Sequence, residues 1–143
     1  MTQRIDNLIA RCRQPDGPWQ IRSRRLSIPE ANEIAAALKH YGIAARVLEG
    51  DRIRDKKTLL TALATAFDFP SHFGQNWDAL LDCLSDFRWL PAKGYVCIML
   101  HADQIKRADP EAYTNFLEVC RTAALRWTER KESTFLKVLI STG

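Results

Sequence analysis

Between Thr58 and Phe87 the chain has no lysine or arginine, and it places aspartates at 68, 78, 82 and 86. The rest of a chain of net charge +4 is rich in arginine, so this acidic stretch stands alone. Asp78, Asp82 and Asp86 recur at the i, i+4, i+8 spacing of one helical ridge. At about 100° per residue, a helix over 76–87 gathers Asn76, Trp77, Leu80, Cys83, Leu84 and Phe87 into a core face about 120° wide. The three aspartates fall opposite, with Ser85 among them and Leu81 at their margin. Like charges one turn apart cost about 0.2–0.5 kcal/mol per pair. The helix dipole favours Asp78 in the first turn and opposes Asp86 in the last. No cation stands at i±4 to relieve the ridge.

Two carboxylates can do acid–base work when their surroundings drive their pKa values apart. Asp78 and Asp82 share one exposed face, so their surroundings are alike. There is no Gly-x-Ser-x-Gly, phosphate loop or His-Glu-x-x-His. The reading is a protein that is not an enzyme. Cys12, Cys83, Cys97 and Cys120 form no Cys-x-x-Cys pair and sit among apolar neighbours, as reduced core thiols do. His40, His72 and His101 match no zinc spacing, and neither a metal nor a cofactor is expected. The plain account of the ridge is a solvated helix face. Against it stand Leu81 beside the acids and the His72-Phe73-Gly74 loop just before them. Acids edged with apolar groups suit a plug for a cationic pocket, where charge steers and pairs while apolar groups exclude water.

The elements that must position this ridge follow from periodicity. Ile5, Leu8, Ile9 and Cys12 mark an amphipathic helix over 2–13, and Gln14 to Pro18 breaks it. Trp19 to Ser23 alternates as a strand would. Ser27, Pro29 and Glu30 open a helix to about His40, with Ile34, Ala37, Leu38 and Tyr41 inward and Gly42 as its stop. A strand at Ile43–Glu49 and a helix over Asp55–Phe67 come next. After the ridge, Tyr95–Leu100 reads as a strand buried on both faces. A long helix from Asp109 to about Arg130 and a strand over Thr134–Ser141 close the chain. The βααβαβ order over 43–141 predicts an α/β domain with a three-stranded parallel sheet.

At 143 residues this is one domain, read as residues 44–143 with a mostly helical extension, residues 1–43, that is not independent. No apolar run is long enough to span a bilayer, and the N-terminus lacks an apolar leader. A cytoplasmic protein without membrane contact is expected. The basic excess lies mainly in the first third, around Arg22, Arg24 and Arg25. No nucleic-acid motif accompanies it, so no direct nucleic-acid partner is expected.

The run Phe73-Gly74-Gln75-Asn76-Trp77-Asp78-Ala79-Leu80-Leu81-Asp82-Cys83-Leu84 resembles the barstar signature, aromatic-Gly-x-Asn-x-Asp-Ala-Leu-x-Asp-Cys-Leu. The resemblance extends over about 44–143, through Phe69-Pro70 before the motif and the strand, long helix and strand after it. It implies a barstar-like three-layer domain that inhibits a ribonuclease, an immunity or antitoxin type of protein. In that family a helix and its preceding loop fill the nuclease active site, and aspartates stand for RNA phosphates. Asp78 and Asp82 match the two interface aspartates, and Asn76 and Trp77 match adjacent contacts. His72 stands where a known member has tyrosine, and Leu81 where it has tryptophan. Asp86-Phe87 replaces Gly-Trp, and Thr122 takes the place of an acidic contact on the long helix. The expected partner-binding set is therefore His72, Phe73, Asn76, Trp77, Asp78, Leu81, Asp82 and Asp86, and the partner a ribonuclease or nuclease toxin. The alternative is a regulatory protein-binding module on the same scaffold.

Overall fold

A computed structural model describes residues 2–143; Met1 lies outside the described residues. Six α-helices and four strands follow one another among the described residues, with a 3-10 turn at Gly50–Arg52 after the second strand: α1 (Thr2–Arg13), β1 (Gln20–Ser23), α2 (Ile28–His40), β2 (Ile43–Glu49), α3 (Lys56–Ala66), α4 (Trp77–Leu84), β3 (Gly94–Leu100), α5 (Ala102–Ala108), α6 (Pro110–Glu129) and β4 (Leu136–Ser141). No described helix is long and apolar enough to cross a membrane.

The sheet is parallel and has four strands, in the order β1-β4-β3-β2. This corrects the three-stranded expectation. The added strand, β1, pairs with β4 from Gln20↔Val138 to Ser23↔Ser141. Only Ile21 of its four residues is fully buried, so periodicity alone has too little to work on. Its partner lies more than a hundred residues away, and the pairing is secured at both ends. The Val138 N–H donates to the Trp19 carbonyl at 2.8 Å, and the Leu26 N–H donates to Ser141 Oγ at 2.8 Å.

Strand β3 shows why the sheet is covered twice. All seven of its residues are buried, and alternate side chains point to opposite faces. Tyr95, Cys97 and Met99 join a core with residues of α3, α4, α5 and α6. Val96, Ile98 and Leu100 join a second core with Ile5, Leu8 and Cys12 of α1 and Ile34 and Leu38 of α2. Each α2 end is set by local chemistry. Ser27 Oγ accepts from the Glu30 N–H, and the Glu30 carboxylate accepts from the Ser27 N–H at 2.9 Å, a reciprocal cap. At the other end, Tyr41 is exposed, not inward as the spacing suggests, because it caps the helix from outside it. Helix α5, a two-turn insertion after β3, has no counterpart in the periodicity reading. Gly50 permits the tight exit from β2: a Cβ there would run into the carbonyl oxygens of Leu100 and His101.

Candidate functional site

Helix α4 is shorter than its sequence suggests. It runs Trp77–Leu84 rather than 76–87, and the chain turns sharply after it, with Phe87 in the left-handed region at φ 56°. A non-glycine residue holds such a conformation only where its surroundings fix it. Here the Phe87 ring stacks on Tyr95 at 4.0 Å and packs against Phe67 and Trp89. The same aromatic group supports the loop before the helix, where Phe69 meets Phe73 edge-on at 5.0 Å and Trp89 at 5.9 Å. Gln75 ties that loop to α3 through Thr61 Oγ1 at 3.2 Å.

Both ends of α4 are held. At the N-terminus, Asn76 Oδ1 accepts from the Ala79 N–H at 2.7 Å while its Nδ2 donates to the Gly74 carbonyl at 2.8 Å. Asn76 is exposed, and its side chain caps the helix rather than joining the core face expected of it. At the C-terminus, the Trp127 indole N–H donates to the Leu84 carbonyl at 2.8 Å, and the Arg130 guanidinium donates to the Ser85 carbonyl. That guanidinium also lies 4.0 Å from the centre of the Trp127 ring. Ser85, expected on the solvent side, is buried and donates to the Leu81 carbonyl at 2.7 Å.

Leu80 and Leu84 are buried. Trp77, Leu81 and Cys83 are half-buried, so the core face is narrower than its apolar count implies. Leu81 leans on the core instead of standing free beside the acids. The Lys56 ammonium lies 5.5 Å from the centre of the Trp77 ring. Asp78 and Asp82 are exposed, and neither has an ion-pair partner among the described residues. Asp86 differs. It lies beyond the helix, half-buried, with the Arg88 Nε 3.0 Å from its carboxylate. The ridge is therefore two open acids and a third that is paired. Arg88, the first cation past the acidic stretch, stands two residues beyond Asp86, where i±4 spacing does not reach it and the turn at Phe87 does.

His72, Asp82, Cys83, Asp86, Arg88 and Trp89, with Pro70, line a shallow depression of about 420 Å³. The structure thus brings His72, Asp82 and Asp86 together. Asp78 sits one turn away on the same helix, and Phe73, Trp77 and Leu81 flank it without lining the depression. Burial pushes the Cys83 thiol up to about 11, and Asp82 and Asp86 add to the effect. A thiol this far from ionising is a poor nucleophile at neutral pH. Among the described residues no cluster of three His, Cys, Asp or Glu side chains could hold a metal. What the surface offers is fixed negative charge on a rigid helix, with a concave, partly apolar border.

No curated protein matches the chain. The family model described as barstar (barnase inhibitor) matches residues 43–139, from the first residue of β2 into β4. Helices α1 and α2 and strand β1 lie before the match. The match spans most of the sequence, and the chain belongs to the barstar family.

Proposed function

We propose that this protein inhibits a ribonuclease by seating the exposed face of α4 in the enzyme's cationic active site, without cleaving anything. The observation that carries the reading is the pair Asp78 and Asp82: open to solvent, free of ion pairs among the described residues, and on a helix fixed at both ends. Uncompensated charge costs the free protein a little and becomes favourable when a partner supplies cations. Membership in a family of barnase inhibitors supports the same partner class. His72, Phe73, Trp77 and Leu81 supply the border that excludes water. Asn76 contributes by holding the helix start.

The test is a titration of a barnase-like ribonuclease with wild type and Asp82→Ala. Loss of one partner of a desolvated charge pair costs about 2–5 kcal/mol, or roughly 30-fold or more in affinity. The barnase–barstar complex itself is among the interfaces that set this magnitude. Association slows as salt rises, because the acids steer the encounter. Equal inhibition by Asp82→Ala shifts the reading to a regulatory protein-binding module that uses another face.

A further inference from the structure

The charge that makes this chain basic is gathered in one place. Residues 1–25 hold six arginines, no lysine and two aspartates, which accounts for the entire excess of four; the other residues balance. Four of the arginines converge where α1 passes the carboxyl end of β1. Arg4, Arg11, Arg22 and Arg24, with Asn7 and Ser23, surround a depression of about 310 Å³ floored by Leu8. Arg25 stands exposed next in the chain. Asp6 does not neutralise the group, since it borders a different depression with Arg13 and Tyr41.

The backbone beneath the cluster is tied down. Arg4 is its strut: its guanidinium donates to the Arg24 and Arg25 carbonyls at 3.2 and 2.6 Å and pairs with Glu30 at 3.5 Å. Ser141 Oγ donates to the Arg24 carbonyl at 3.2 Å, and the Thr142 N–H donates to the Ser23 carbonyl at 3.3 Å. The side chains of Arg11, Arg22, Arg24 and Arg25 have no ion-pair partner among the described residues.

Arginine forks match phosphate oxygens in pairs, and several around one concavity suit successive phosphates. Protein interfaces carry an apolar or aromatic centre, and this concavity offers only Leu8, which is buried. The absence of a nucleic-acid motif speaks against base readout and not against phosphate binding. Counter to the expectation from the sequence, we propose that the Arg11, Arg22 and Arg24 depression binds the phosphate backbone of single-stranded RNA, without reading base sequence. The site belongs to the α1 side of the sheet and is separate from the α4 surface, so its occupation does not depend on the inhibitor reading.

The experiment uses the full chain and a labelled 20-nucleotide single-stranded RNA, followed by fluorescence anisotropy across a salt series. Binding in the range of about 1–100 μM near physiological salt is expected, with little dependence on sequence. For single strands each phosphate contact contributes about 0.7 to the slope of log K against log salt, so Arg11→Gln/Arg22→Gln/Arg24→Gln lowers that slope by about 2. Asp78→Asn/Asp82→Asn leaves RNA binding intact, which separates this site from α4. Thermal unfolding shows that the triple variant is folded; if it is not, Arg11→Gln/Arg24→Gln takes its place, with a slope lowered by about 1.4. The proposal fails if wild type binds no RNA at low salt, if the arginine variant keeps the wild-type slope, or if phosphatidylserine vesicles are bound and RNA is not.

Discussion

Two cysteines on opposite sides of the sheet have opposite electrical surroundings. Cys12 of α1 is fully buried, and burial lifts its thiol to about 11 while Lys137 and Arg11 pull it down. Cys83 of α4 is only half-buried, yet it also reaches about 11, because Asp82 and Asp86 push in the same direction as burial. The neighbouring charges act with opposite sign on the two thiols, cations beside Cys12 and acids beside Cys83. The α4 side keeps acids together; the α1 side keeps arginines together. Of the two groups, only Arg4 and Asp86 have ion-pair partners among the described residues.

The largest effect that can break this contrast is the loss of binding in Asp82→Ala, roughly 30-fold or more against the ribonuclease, as set out above. Trp127→Phe comes next. It leaves the Leu84 carbonyl without its indole donor, at about 1–3 kcal/mol of stability in urea unfolding. Asn76→Ala at the other end of α4 costs about 1 kcal/mol by the same measurement. A loss for Asn76 greater than that for Trp127 would mean that the local cap, not α6, sets the helix.

The thiols give a prediction in pH. Their folded pKa values, about 11 for Cys12 and Cys83 and about 12 for Cys97, lie above the ordinary 9.0. Stability they contribute is whole below pH 9.0 and is lost as pH rises toward 11 and 12, because only the unfolded chain ionises readily there. The urea midpoint therefore falls through that window. Asp82→Asn/Asp86→Asn lowers the Cys83 pKa and leaves Cys12 where it is. Iodoacetamide alkylation against pH reads this out, since Cys83 alone among the four is partly exposed. An unchanged profile would remove the acids as a cause. The smallest effect concerns the free protein. Asp82→Asn stabilises it by a few tenths of a kcal/mol. Asp86→Asn is nearly neutral, because relief of repulsion offsets loss of an exposed pair with Arg88 worth about 0–1 kcal/mol. A loss above about 1 kcal/mol for Asp82→Asn would mean that the carboxylate makes a structural hydrogen bond.

The sequence was most readable where local rules and burial coincide. Strand β3 is one apolar run, α2 carries its own cap, and the run from Phe73 to Leu84 places two acids opposite Leu80 and Leu84. Reading failed where distant residues decide. Nothing near Ser85 shows that Arg130 and Trp127 will close α4 above it and end the helix before Asp86. Nothing in Gln20–Ser23 identifies β4 as its neighbour. The exposed face of α4 followed from angular spacing, but the pairing of Asp86 depended on a turn that spacing does not describe.

The position of β1 has a consequence for synthesis on the ribosome. It emerges early, yet its only sheet neighbour, β4, is the last strand to be translated. Until then Ile21 and Leu26, both buried in the finished protein, have no completed surface to cover them. The nascent chain thus carries unprotected apolar side chains until β4 is made, an interval in which they are open to aggregation. Closure of the sheet, and with it the arginine turn after β1, waits for β4, and α4 in turn reaches its final seat only when Trp127 of α6 and Arg130 just after it have been made.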